Sequence, residues 1–384
     1  MTLIQTLLEY QVAFLAFRGL PFLAYLAVTG ARGLVVGATL LAGLCGLLAG
    51  HASPGVGRLI DLLASYAYLV AATCVLLKLR SQLPAGTRGK AMAAGLVVTL
   101  FGAVPVVALR WLESGSYLPL LAWFVGLSAY SLIAEEFRSG EHVRFGGAMT
   151  FLLVNPALVY ADRGKVIGGP AWRLSGGARL GEGLLLVGAA VHLMPLASQQ
   201  LLFAVQGPAP TPVGHAFGAM VGFVMLYMQH VGLASFQIGG MELLGYEVPE
   251  QYRRPYLARN PSDFWRRWNT YVGGWLRRYV FEPCIRALRH RVPSRKLRAA
   301  VACMVTFAVA GLLHDAGRLE SEVGLSETRF FLFCGAMLLA WAGLQSALRR
   351  GRIGRTLPHW FAAASTRGLA AVTMVGTAWF RTQW

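Results

Sequence analysis

Long apolar runs alternate with short polar connections along this chain, a pattern that predicts membrane-length helices rather than soluble ones. A hydrocarbon core of about 30 Å takes roughly 20 apolar helical residues. Runs near that length recur at 12–28, 33–50, 59–77, 91–108, 117–134, 183–205, 213–238, 299–313, 329–348 and 368–380. An eleventh run, 146–160, is shorter and contains Asn155-Pro156, which points to a re-entrant or interfacial segment rather than a span. The expected fold is all-α: a polytopic integral membrane bundle of ten or eleven segments, packed as one domain over 1–384.

The connections are unequal. Residues 239–298 form the longest and hold 13 of the 35 Lys and Arg residues, from Arg253 and Arg254 through Arg298. If all eleven runs span, Arg163, Lys165, Arg173, Arg179 and the stretch from Arg349 to Arg367 lie on the same side. The positive-inside rule makes that side cytoplasmic and places the N-terminus there too. The first ten residues lack the basic start and small-residue cleavage site of a secretory signal, so none is predicted.

Within that segment, a helical wheel for 264–279 gathers Phe264, Trp265, Trp268, Tyr271, Val272, Trp275, Leu276 and Tyr279 on one arc. Arg266, Arg267, Arg277 and Arg278 fall opposite, with Asn269 at the border. This predicts one amphipathic helix. An interfacial anchor whose arginines reach lipid phosphates accounts for such a pattern without any chemistry.

Composition narrows the classes. The net charge is +18, yet only 14% of residues are charged and 56% are hydrophobic. Disorder and soluble nucleic-acid binding both need a more polar chain, so no nucleic-acid partner is expected. Four of the five cysteines (Cys45, Cys74, Cys303 and Cys334) lie in apolar runs, Cys284 lies in the basic segment, and no CxxC occurs. No phosphate-cradling, dinucleotide, zinc-protease or nucleophile-elbow motif is present, and no metal site is expected.

An ionisable group inside an apolar run is costly, so His192, His230 and His314 are candidates for function. Each alone is compatible with a neutral imidazole bonded to a neighbouring helix. His314 differs in being delivered to a membrane end by 299–313 and followed by Asp315. Neighbours on a helix point about 100° apart, so the two do not form a ready-made dyad.

The stretch 242–283 resembles the signature region of the membrane-bound O-acyltransferase family, above all the bacterial branch that modifies alginate and teichoic acid. The matching elements are Leu244-Gly245-Tyr246, Pro249-Glu250, Pro255-Tyr256, Phe264 to Asn269, and Trp275 with Tyr279. A second signature matches Gly311-Leu312-Leu313-His314, and Ala378-Trp379-Phe380-Arg381 is similar to the family's closing helix. Weaker matches lie at Gly126-Leu127-Ser128 and Tyr227 to Ser235. Asn269 stands where the polysaccharide-acylating branch usually has His; branches acting on sterols, diacylglycerol or lysophospholipids are similar to this chain there. Gln229, His230 and Asp315 also depart from the pattern.

The resemblance implies acyl transfer from a thioester, most simply acyl-CoA as co-substrate, to a hydroxyl acceptor in a bacterial cytoplasmic membrane. It implies His314 as general base and Asn269 as oxyanion donor. Arg266, Arg267, Arg277 and Arg278 would meet donor phosphates, and Trp268 and Trp275 would line an acyl channel. The acceptor class stays open among envelope glycan, lipid and small molecule. A transporter or flippase for an anionic lipid or metabolite, and an inactive family member, are the competing readings.

Overall fold

The computed structural model describes residues 56–84, 86–105, 118–153, 155–160, 165–166, 170–190, 212–243, 245–316 and 326–350. The runs at 12–28, 33–50 and 368–380, the motif at 378–381, and His51, His192 and His359 lie outside these residues. The described residues are predominantly helical, with one two-stranded ribbon, as the apolar runs predict. The residues cluster into two compact units: one reaches to Gly188 and adds Gln229–Pro249; the other comprises Ala189–Met228 and the chain from Glu250 onward.

In the first unit α1 (Val56–Leu79), α2 (Gly86–Val98), α3 (Leu118–Ser139) and α4 (Phe145–Leu153) pack on one another. Leu69, Leu76, Phe101, Val125, Leu132 and Leu152 fill their interior. A π-turn at Thr99–Ala103 continues α2, and the Tyr68 hydroxyl donates to the Leu100 carbonyl at 2.6 Å. A buried ion pair lies in this interior. Arg80 pairs with the buried carboxylate of Glu136 at 2.6 Å, and Glu136 also accepts the Val143 N–H at 2.8 Å.

The eleventh run forms only a short helix. Its helix α4 has nine residues, about 13 Å at 1.5 Å per residue, which is too short to span. Residues 155–160 then continue as buried non-helical backbone, and side chains satisfy part of it. The Asn155 side chain accepts the Ala157 N–H at 2.9 Å, and Ser131 Oγ accepts the Tyr160 N–H at 2.7 Å.

Two further helices, α5 (Pro170–Gly188) and α6 (Pro212–Leu243), meet through glycine. A Cβ on Gly183 would lie 2.6 Å from the Gly232 carbonyl, and one on Gly239 2.7 Å from the Gly176 carbonyl. Each pair repeats after seven residues, two helical turns, so the backbones touch along one stripe. At its end Arg179 pairs with Glu242 at 2.9 Å and Ser175 Oγ donates to the same carboxylate at 2.8 Å. This corrects the expected loop: Arg173 and Arg179 belong to α5, and Arg179 tolerates that place because Glu242 neutralises it. Gly183→Ala is therefore expected to destabilise by about 1–3 kcal/mol or more. Gly181→Ala, where a Cβ meets nothing within 4 Å, should be neutral or gain about 1 kcal/mol. Thermal unfolding of both variants in detergent checks the contrast. β1 (Lys165–Val166) and β2 (Tyr246–Glu247) pair antiparallel in the same unit.

The second unit holds the long basic segment and two long helices. After a 3₁₀ turn at Pro255–Leu257 come α7 (Pro261–Arg267), α8 (Thr270–Leu276), a π-turn at Arg277–Phe281 and α9 (Glu282–Leu288). Then α10 (Arg295–Ala316) and α11 (Ser326–Arg350) form the most extensively packed helix pair among the described residues. Within them Arg295–Asp315 and Glu327–Ala347 are long and apolar enough to cross a membrane, yet only 22% and 28% of each is buried. A core helix of a soluble protein this apolar would be covered nearly all round. Leu297, Val301 and Val305, four residues apart, instead form an exposed apolar stripe suited to lipid.

Candidate active site

The single amphipathic helix expected over 264–279 is broken, and the break is at Asn269. Trp268 takes an extended conformation that ends α7, and Asn269 follows in the left-handed region at φ 37°. Asparagine is among the few residues that visit that region readily. Its Oδ1 then accepts the Val272 N–H at 3.3 Å and caps α8. Gln251 Nε2 donates to the same oxygen at 3.2 Å. The preceding segment 250–253 laces the break: the Thr270 N–H donates to the Gln251 carbonyl at 2.7 Å, and the Arg253 N–H to the Arg267 carbonyl at 2.9 Å. Because the cap and Gln251 both use Oδ1, the Asn269 Nδ2 hydrogens are left as its donors.

The start of α7 is equally built. Asn260 Oδ1 caps the Asp263 N–H at 2.8 Å, and the buried Asp263 carboxylate accepts the Arg259 N–H at 3.1 Å and Arg267 Nε at 3.0 Å. Burial works to raise the Asp263 carboxyl, but the Arg259 N–H and the Arg267 guanidinium outweigh it and hold it below the usual range. A carboxyl lowered on folding stabilises above its unfolded pKa of about 3.9, and that contribution is lost as the pH falls through the folded value. Asp263→Asn should therefore melt below wild type at neutral pH, and the gap should close as the pH falls below about 4. Melting curves across that range test it.

The four arginines expected at donor phosphates divide. Arg267 is committed to Asp263 and to the Arg253 carbonyl at 3.2 Å. Arg266 and Arg277 are largely exposed (73% and 77%), with longer contacts of 3.4 Å to Asp263 and 3.3 Å to Glu282. Arg278 is partly buried in the π-turn.

Trp268 stacks on Phe264 with centroids 5.5 Å apart and meets Tyr252 edge-on at 5.3 Å; Tyr227 adds a third ring at 6.3 Å. Burial, with Tyr227 and Tyr271 adding, pushes the Tyr252 hydroxyl far above the ordinary phenol range, so it stays neutral. Trp275 lies against Tyr279 at 5.3 Å and on the cluster of Leu276, Ala310, Phe330, Phe331 and Cys334. Both tryptophans thus sit in packed aromatic surroundings.

His314 stands in the last turn of α10, exposed at its end. Its Nδ1 lies 2.7 Å from the Ala310 carbonyl. A carbonyl only accepts, so Nδ1 carries a proton in this contact. The ring packs on Phe331 with centroids 4.6 Å apart. Phe331 also meets Trp265 at 6.1 Å, so one aromatic cluster ties the signature segment to His314. Among the described hydrogen bonds, those of Asn269 stay within 251–273, and none reaches His314. Asp315 is turned elsewhere, onto the first turn of α11. In the other unit Gln229 is buried and His230 partly buried.

Sequence reasoning did not single out Gln251, Asp263 or Phe331. Asp263 carried a signal in Asn260-Pro261-Ser262-Asp263, a helix-start pattern. Phe331 carried none, because its role depends on which face of α11 meets α10.

Residues 209–319 match the model of the membrane-bound O-acyltransferase family. Over 98 residues the chain is 26% identical to a teichoic acid D-alanyltransferase of Bacillus subtilis, covering 25% of each protein. A longer alignment of 275 residues, at 24% identity, covers 68% of this chain and 50% of a probable alginate O-acetylase of Azotobacter vinelandii. A diacylglycerol O-acyltransferase of Glycine max is 36% identical over 74 residues, 19% of this chain and 13% of the plant protein. The chain thus spans half or less of the length of these relatives. The stretch that holds both Asn269 and His314 is thus the part of the chain that is similar to the membrane-bound O-acyltransferase family.

Proposed function

We propose that this protein is a membrane-embedded O-acyltransferase that moves an acyl group from a thioester to a hydroxyl. The observation that carries the proposal is the His314 imidazole at the end of α10, whose Nδ1–H donates to the Ala310 carbonyl at 2.7 Å, so that in the neutral ring Nε2 is the basic nitrogen. Nε2 takes the proton of the acceptor hydroxyl as its oxygen attacks the thioester carbonyl. The Asn269 Nδ2–H group stabilises the resulting oxyanion. The C–S bond then breaks, the thiolate leaves, and the imidazolium returns its proton to the sulfur. No strong general acid is required, because a thiolate leaves readily.

The donor is acyl-CoA in this reading. Arg266 and Arg277 suit its phosphates, since exposed side chains with long carboxylate contacts lose little on exchanging them for phosphate oxygens. Arg267 serves the fold instead. The relatives named above act on teichoic acid, on alginate and on diacylglycerol, and the acceptor here is an envelope glycan, a lipid or a small alcohol. Asn269 in place of His favours a lipid or other small hydroxyl.

The test is label transfer. Purified full-length protein in nanodiscs is given radiolabelled acetyl- or long-chain acyl-CoA with a uronate polymer, a glycerol-phosphate polymer, diacylglycerol or a long-chain alcohol. Label recovered as an ester on one acceptor class supports the proposal and names the acceptor. Recovery of label in no ester with any of them overturns it.

A further inference from the structure

We infer that Asp315 is a positioning residue for His314, acting through the first turn of α11. The inference rests on the reading of His314 as the base. Helix α11 begins with N–H groups that have no partner within the helix. Asp315, at the end of the preceding helix, supplies the acceptors: Oδ1 takes the Glu327 N–H at 2.9 Å, and Oδ2 takes the Thr328 N–H at 2.9 Å and the Thr328 hydroxyl at 2.6 Å. Glu327 and Thr328 are 2% and 8% exposed, so little water competes for these bonds. A carboxylate here also meets the positive end of the α11 dipole.

One turn earlier on the same face of α10, the backbone itself is pressed against this turn. A Cβ on Gly311 would lie 2.4 Å from the Thr328 Cα, so only glycine admits this approach. Thr328 is therefore fixed at two points one turn apart on α10, by Gly311 and by Asp315. Phe331 follows three residues later on the same face of α11, and the His314 ring rests on it. Ala310 fixes which nitrogen carries the proton; Phe331 limits where the ring turns. Asp315 points away from His314 along the chain, yet it holds the surface on which His314 lies.

Purified full-length Asp315→Ala, Asp315→Asn and Thr328→Val are compared with wild type. The readouts are kcat, KM, melting temperature and the rate of His314 carbethoxylation by diethyl pyrocarbonate, followed site by site by mass spectrometry. Small misplacements of a reacting group cost up to about 10²-fold. Asp315→Ala is expected to lower kcat by about 10- to 100-fold with KM unchanged and to alter the His314 carbethoxylation rate. Asp315→Asn, which keeps part of the acceptor set, should fall between. Thr328→Val removes only the hydroxyl bond and should shift both readouts the same way, which keeps the test open if Asp315→Ala does not fold. A lower melting temperature with wild-type kcat and carbethoxylation rate in the folded variants would reduce Asp315 to a helix cap and overturn the inference. The carbethoxylation rate is read without acyl transfer, so failure of the base assignment, seen as full transfer by a His314 variant, is distinguishable.

Discussion

His314→Ala is expected to cut acyl transfer by about 10²–10⁴-fold at saturating donor and acceptor, the usual worth of a general base. The melting temperature should hardly move. His314 lies exposed at the end of α10, its Nδ1 bond to Ala310 joins a carbonyl of its own helix, and its ring rests on Phe331. Fold and chemistry therefore separate at this position better than at most. His314→Gln gives the sharper comparison, because its side-chain amide is polar and of similar reach but has no basic nitrogen. Loss in both variants, with donor KM unchanged, assigns the effect to proton removal rather than thioester binding. Wild-type kcat in either folded variant removes His314 from the role of base.

The candidate residues for chemistry stand out in sequence where chemistry and composition coincide. A histidine closing an apolar run, and an asparagine set among tryptophans and arginines, both stand out in sequence because each is costly or unusual there. The helices were legible for the same reason: 299–313 and 329–348 lie inside α10 and α11. The break at Asn269 was not. Periodicity over 264–279 runs smoothly through it, since Trp268 and Tyr271 keep the apolar arc, and only the backbone of 250–253 shows why the helix stops. Local pattern lost there to a tertiary contact.

The same limit hid Arg179. Hydropathy alone begins its helix at 183, because the charge that permits an earlier start, Glu242, lies 63 residues away. Asp315 shows the reverse case. Helical geometry predicted that it would not pair with His314, and its carboxylate is turned onto Glu327 and Thr328. What sequence could not supply was the partner helix that gives it work.

Asn269 offers the second large effect, and here fold and chemistry must be pulled apart deliberately. Asn269→Ala removes the cap on α8, which costs about 0.5–2 kcal/mol, and places a Cβ residue with no side-chain hydrogen bond in the left-handed region. A loss of activity in that variant alone is ambiguous. Asn269→Asp resolves it. A carboxylate still accepts the Val272 N–H and the Gln251 amide, and aspartate tolerates the left-handed region nearly as well as asparagine. What it lacks is the Nδ2 donor, and it brings a negative charge to the place where an oxyanion must form. Removing one such donor costs about 10²–10³-fold in kcat. Asn269→Asp is accordingly expected to melt close to wild type and to lose at least that much activity, whereas Asn269→Ala loses both. If Asn269→Asp transfers acyl groups at the wild-type rate, Asn269 serves only to break the helix and cap α8, and the oxyanion donor lies elsewhere.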